Sequence, residues 1–361
     1  MKPLKIGHLL VKLPIVQGGM GVGVSLSGLS SAVANEGGIG VISSAGLGLL
    51  YMKSCKDYIK ASIMGLKEEL QLARKKSPKG VIGVNIMVAL TNFSDMVKTA
   101  IKEKADIIFS GAGLPLNLPS FLEKDSTTKL APIVSSARSL KVIVDKWKRN
   151  FDYLPDLIVV EGPKAGGHLG YKLNQLEDTE HFNLEDILAD VLKQVRLYEF
   201  EFKVKIPVIV GGGIYTGEDM AKIMALGADG VQLGTRFVTT VECDASDVFK
   251  NEYLRAKEED IVIIKSPVGM PGRAINNPFL EEVRLGLQHP TSCPFNCIKT
   301  CKQEKSPYCI MKSLMNAYKG NMSKGYAFSG TNGWRATRIE TVKEVFDSLK
   351  LGFARHLATV K

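Results

Sequence analysis

Eight short apolar runs punctuate the first 240 residues, at 14–17, 39–43, 81–88, 105–110, 131–135, 157–161, 207–211 and 230–234, most of them ending in glycine, serine or another polar residue. Runs such as Ile39-Gly-Val-Ile-Ser43 are continuous rather than alternating, the pattern of parallel strands covered on both faces. Between them lie segments with helical apolar spacing, at 25–35, 57–75, 93–104, 136–148, 184–198 and 217–226. Eight strands alternating with helices, the last ending near residue 235, predict an α/β fold in the form of a TIM (β/α)8 barrel. An open doubly wound sheet is the alternative, and it would want G-x-G-x-x-G after its first strand. The stretch found there, Gln17-Gly-Gly-Met-Gly21, has glycines at a different spacing.

Past residue 240 the alternation stops. Residues 1–245 are therefore assigned to the barrel, and 246–361 to a smaller C-terminal lid or extension whose chain can return to the barrel and which contains a Cys-rich segment, 293–309. The charge follows the same division. Residues 1–246 carry 29 Lys and Arg against 26 Asp and Glu, and the remainder 18 against 11, so most of the net +10 lies in the last third. No block of five basic residues occurs and aromatics make up 7%; this reads as a solvated surface with no nucleic-acid platform, though an acidic carrier protein could be received there. With 45% hydrophobic and 23% charged residues the chain is globular, which excludes a disordered, collagen-like or disulfide-scaffold protein. No apolar run approaches the ~18 residues of a membrane span, and Lys2, Lys5, His8 and Lys12 interrupt the start, so a cytoplasmic location with no membrane contact is expected.

In a barrel, chemistry belongs to the loops after the strands. Pro207-Val-Ile-Val-Gly-Gly-Gly-Ile214 and Ala228-Asp-Gly-Val-Gln-Leu-Gly-Thr-Arg236 occupy the seventh and eighth exits. Glycine there frees backbone N–H groups to point at a phosphate, and the start of a helix adds partial positive charge; Gly213, Gly234 and Thr235 are the expected ligands. After the sixth strand comes Glu161-Gly-Pro-Lys-Ala-Gly-Gly-His-Leu-Gly170. A histidine framed by glycines can be held at the mouth for proton transfer, and of the five histidines only His168 has such a frame.

Taken in order, Pro14-Ile-Val-Gln-Gly-Gly-Met20, Gly83-Val-Asn85, Ala165-Gly-Gly-His-Leu-Gly170, Gly212-Gly-Ile214 and Gln232-Leu-Gly-Thr235 resemble the nitronate monooxygenase (2-nitropropane dioxygenase) family, a group of FMN-dependent barrels that also includes flavin enoyl-acyl carrier protein reductases. The resemblance covers about two-thirds of the chain. It implies that Asn85, Glu161, Gly166, Gly167, Gly213, Gln232, Leu233, Gly234 and Thr235 contact FMN, that Gly19 and Met20 lie against the isoalloxazine, and that His168 is the catalytic residue beside it. It implies an FMN-dependent oxidation of alkyl nitronates by O2, with a small-molecule substrate. The alternative is an NAD(P)H-dependent reductase of enoyl-acyl carrier protein or quinone, and a third class is a flavin-binding regulator or a carrier-protein partner without turnover. Two positions depart from the family pattern, which usually has glutamine where Glu161 stands and glutamate where Lys164 stands; an ion pair between these two would partly offset the change in field.

In the last third, Ser266-Pro-Val-Gly-Met-Pro-Gly-Arg273 resembles the family's return into a lid. Arg273 there is a candidate for a phosphate or a substrate carboxylate, or for an interdomain salt bridge. Phe328-Ser-Gly-Thr-Asn-Gly-Trp-Arg335 is either a loop folding over the flavin or a plain turn before a helix at 341–349. Cys293, Cys297 and Cys301, spaced by four, would share one face of a helix, with Cys309 close behind. Four thiolates could hold Zn²⁺ or an iron-sulfur cluster, although neither a zinc-ribbon nor a ferredoxin spacing is present; buried core cysteines are the alternative.

Overall fold

The computed structural model describes residues 1–178, 181–293 and 295–359. Its centre is a closed eight-stranded parallel barrel. The strands, in barrel order one to eight, are Ile15–Gln17, Ile39–Ser43, Val81–Met87, Ile107–Gly111, Lys129–Val134, Ile158–Glu161, Val208–Gly211 and Gly230–Leu233, and strand eight closes on strand one. The continuous apolar runs have the predicted cause. Val16, Val41, Phe109 and Val159 fill the barrel interior, while their neighbours Ile15, Ile42, Ile108 and Val160 pack outward against the helices. A short hairpin, Leu4–Ile6 with Leu9–Val11, adds four buried side chains to the interior cluster.

The outer helices begin where capping groups allow. Asp57 accepts from the N–H groups of Ile59 and Lys60 at the start of Tyr58–Lys76, Ser136 caps Ala137–Phe151, and Thr216 with Asp219 forms a capping box on Gly217–Ala225. Strand eight is followed only by the short helix Thr235–Val238, and the long helix Val342–Thr359 packs beside it, against Gly217–Ala225 and Ser27–Asn35. The last helix thereby fills the eighth place in the ring.

Between those two helices the chain builds a cap. Strands Ile261–Lys265 and Pro271–Ile275 form an antiparallel hairpin, and the second of them pairs with Gly167–His168 from the loop after barrel strand six. Helices Asp247–Arg255, Pro278–Arg284 and Ile310–Tyr318 pack around it.

The helix expected to carry Cys293, Cys297 and Cys301 is absent: no regular helix stands between Arg284 and Gln303 among the described residues. Asn296 adopts left-handed φ at 42°, which interrupts an α-helix. Instead the segment is strung along the loop after barrel strand three. Leu90 bridges Ile298, the Thr91 N–H donates to the Cys297 carbonyl at 3.2 Å, and the Lys299 N–H donates to that of Ala89 at 2.9 Å.

Candidate active site

Strand register alone assembles a rim of functional side chains. Glu161 stands opposite Gly211, Gly211 opposite Gln232, Leu233 opposite Gln17, and Ser43 opposite Asn85. All lie at the C-terminal ends of their strands, where barrel sites are built. Gln17 itself is consumed structurally: its Oε1 accepts from the Val41 N–H at 3.0 Å and its Nε2 donates to the Gly18 carbonyl.

Above this rim is a cavity of about 250 Å³. Every residue of the expected flavin and catalytic set lines it: Gly19, Met20, Asn85, Glu161, Gly166, Gly167, His168, Gly213, Gln232, Leu233, Gly234 and Thr235. Glycine is required for shape at specific points. A Cβ on Gly19 would lie 2.3 Å from that of Asn85, and one on Gly166 would lie 2.4 Å from the Gly330 nitrogen. Gly213 adopts φ 86°, in the left-handed region, and its N–H has no acceptor among the described residues. Lys164 lies directly beside it, its Cβ 3.0 Å from where a Gly213 Cβ would stand.

The segment at 328–335 crosses this end of the cavity, with Phe328, Gly330, Thr331 and Asn332 in its lining. Asn332 Nδ2 donates to the Gly213 carbonyl at 2.7 Å, the Gly330 N–H to Thr235 Oγ1 at 2.9 Å, and the Thr331 N–H to the Lys164 carbonyl at 3.2 Å. The exits of strands six, seven and eight are thus tied together.

His168 is held by the cap. Its strand pairing with Pro271–Ile275 sets it opposite Gly272, and its Nε2 lies 2.7 Å from Ser266 Oγ. The same hydroxyl accepts from the Val268 N–H at 3.3 Å. The Phe328 ring meets the imidazole edge to face at 5.0 Å. No group among the described residues bonds Nδ1. Burial lowers the imidazole to about 4, because the charged form would be desolvated, so the ring is neutral at physiological pH. Burial acts on Glu161 in the opposite direction and raises its carboxyl to about 7.

Three expectations are corrected here. Glu161 and Lys164 form no ion pair; a nearby cation would have lowered the carboxyl, and desolvation raises it instead. Arg273 pairs with no acid among the described residues: Nη1 of its buried guanidinium donates to the carbonyls of Pro163 at 2.7 Å and Ala165 at 2.6 Å, bracing the loop that carries His168. The four cysteines line a separate cavity of about 20 Å³. Among the described residues, however, no three His, Cys, Asp or Glu side chains gather into a group able to hold a metal ion. Cys297 is buried and its thiol is pushed up to about 12 by burial first and by its thiol neighbours second, which opposes the thiolate a metal needs. Of the four, only Cys297 is buried; Cys293, Cys301 and Cys309 are half-buried.

Ser266 went unnoticed in the sequence as a partner of His168, because nothing local marks a serine that meets a histidine 98 positions away. No helix among the described residues is long and apolar enough to cross a membrane.

A sequence model described as nitronate monooxygenase matches residues 2–352. A probable nitronate monooxygenase of Staphylococcus aureus (strain MSSA476) is 28% identical over 298 residues, covering 76% of this chain and 78% of that protein. Among solved structures, FabK from Thermotoga maritima superposes with a TM-score of 0.73 at 26% identity, over 97% of this chain and 95% of its own. Nitroalkane oxidase from Streptomyces ansochromogenes gives 0.73 at 20% identity, over 97% and 98%, and shares the fold.

Proposed function

From the premise that this chain belongs to the nitronate monooxygenase family, which it matches over residues 2–352, we propose that it is an FMN-dependent oxidoreductase that oxidises alkyl nitronates with O2. One observation carries the reading: His168 faces a cavity with a glycine-and-cation cradle at one end and an apolar wall at the other.

The residues present fit FMN. The Gly213 N–H, Lys164, Gly234 and Thr235 would hold its phosphate. Asn85 and Gln232 offer amide donors and acceptors along the cavity, and Gly19 with Met20 gives a flat wall. Bound there, FMN supplies the two-electron acceptor that returns to its oxidised state through O2.

His168 does the proton work. A nitronate arrives already deprotonated, and a neutral imidazole with its proton on Nδ1 can donate a hydrogen bond to the nitronate oxygen. Ser266 supports that tautomer by donating its hydroxyl to Nε2 while its oxygen accepts from the Val268 N–H. For a neutral nitroalkane the roles reverse. Nδ1 takes the proton from the carbon beside the nitro group, and Ser266 accepts from the Nε2–H. Glu161, raised to about 7, retains a proton below neutrality and offers an O–H donor where the family usually has a glutamine amide.

A second reading, an NAD(P)H-dependent reductase of enoyl-acyl carrier protein or quinone, draws on the likeness to FabK and on the basic last third. Anaerobic mixing separates the two. Bleaching of the bound flavin by the nitronate of nitroethane alone supports the monooxygenase, and bleaching by NADPH alone supports the reductase. In the monooxygenase, His168→Ala should keep its flavin and lose about 10²–10⁴-fold in kcat/KM for nitroethane; undiminished turnover would remove His168 from the mechanism.

A further inference from the structure

We propose that the cap end of the cavity is a subsite for an unbranched alkyl chain, so that the substrate carries an apolar tail of several carbons and no terminal carboxylate. This rests on the reading above that the cavity is the catalytic centre.

The charges come first. Among the described residues only Glu161, Lys164 and His168 are ionisable acids, lysines, arginines or histidines lining the cavity. Lys164 stands beside Gly213 at the phosphate end, and Glu161 stands abreast of Gly211 on the barrel rim. Arg273 does not line the cavity, and its Nη1 donates to two backbone carbonyls of the loop that carries His168. A carboxylate reaching toward the cap would be desolvated there with no cation to meet it.

The wall at that end is apolar and comes from separate segments. Val268 sits in the hairpin turn, Ile298 in the cysteine-bearing segment, and Ile310, Met311 and Leu314 on the helix Ile310–Tyr318. These side chains also belong to one packed cluster of the cap core, so the wall is backed by fixed neighbours. Thr300 Oγ1 donates to the Val268 carbonyl at 2.9 Å and joins the first two segments. The wall begins at the reacting centre, because the Val268 N–H bonds to the hydroxyl that holds His168. A tail leaving the carbon at His168 therefore meets hydrocarbon immediately.

The test is a chain-length series on the flavin-loaded enzyme, using the nitronates of nitroethane, 1-nitropropane, 1-nitrobutane and 1-nitrohexane, with the nitronate of 3-nitropropionate as the carboxylated probe. Burying each added methylene should raise kcat/KM by up to about fourfold, and the carboxylated probe should fall below nitropropane by about tenfold or more. Leu314→Lys, a partly exposed position, should flatten the series and recover the carboxylated probe. A flat series in the unaltered enzyme, or a preference for 3-nitropropionate, overturns the tail subsite while leaving the monooxygenase reading intact. Should no nitronate be oxidised but enoyl thioesters be reduced with NADPH, that reading fails. The same ranking is then sought with crotonyl, hexenoyl and octenoyl thioesters. Dissociation constants of primary alkanols, taken from perturbation of flavin absorbance, rank the tails without turnover; no tightening with length also overturns the proposal.

Discussion

In the proposed mechanism a hydroxyl, a carboxyl and an imidazole decide the behaviour of the site, and each can be changed alone. Ser266→Ala removes the only hydrogen bond to the His168 ring among the described residues. The ring should remain packed by Phe328 but lose tautomer control, lowering kcat for nitroethane about tenfold with little change in KM. Its distinguishing readout is the pH profile: the acid limb set by His168 should move, whereas a purely structural defect would lower activity uniformly. Glu161 and His168 also oppose each other in stability. The Glu161 carboxyl is raised from 4.5 to about 7, so the folded state holds an extra proton over that range and stability from this group falls as pH rises. The imidazole is lowered from 6.5 to about 4, so the unfolded state holds the extra proton and stability from this group rises with pH between those values. From pH 4.5 to 6.5 the two slopes cancel. In flavin-free protein, Glu161→Gln should expose the His168 slope, up to about 1.4 kcal/mol per pH unit. Thermal midpoints rising with pH over this window in the variant, but not in the parent, would show it; parallel curves would place the carboxyl in a more solvated setting than its burial implies.

At the scale of elements, the chain announces its barrel and conceals its cap. Strands such as Ile39–Ser43 declare themselves because burial on both faces demands unbroken apolar runs, and glycines such as Gly19 and Gly166 at the strand exits follow from the close approach of Asn85 and Gly330. The cap's decisive element is two residues long: Gly167–His168 becomes a strand only because Pro271–Ile275 lies beside it, and no local propensity encodes a partner about a hundred positions away. The cysteine spacing misleads for a related reason. A four-residue period implies a helix face only where the backbone can be helical, and Asn296 in left-handed conformation denies that. The ring of helices gives a direct test of how elements fit. A Cβ on Gly217 would lie 2.1 Å from the Leu349 carbonyl oxygen and 2.4 Å from the Phe353 nitrogen, so the last helix packs backbone to backbone against Gly217–Ala225. Gly217→Ala must push the two apart, costing about 1–3 kcal/mol. Hydrogen exchange should show early loss of protection across Val342–Thr359; an unchanged thermal midpoint would contradict the close approach.

Across the whole molecule, barrel and cap share one cavity rather than meeting at a flat face. Asn85, Glu161 and Gln232 come from barrel strands, Val268, Met311 and Phe328 from the cap, and all line the same space. The connection is covalent as well, since the chain leaves the barrel after Thr235–Val238 and returns to it as the last helix. A ligand filling the cavity therefore touches both parts and must stabilise them together. FMN at a hundred times its dissociation constant adds about 2.7 kcal/mol. At about 2.1 cal/mol/K per residue, over 361 residues, that is a rise of roughly 3–4 °C in the thermal midpoint. Stripping the flavin should lower the midpoint by this amount in a single transition, with protection from hydrogen exchange falling at the strand exits and in Ile310–Tyr318 alike. If the cap kept its protection while the barrel exits lost theirs, the flavin would be held by the barrel alone, and the cap would serve only to place Ser266 against His168.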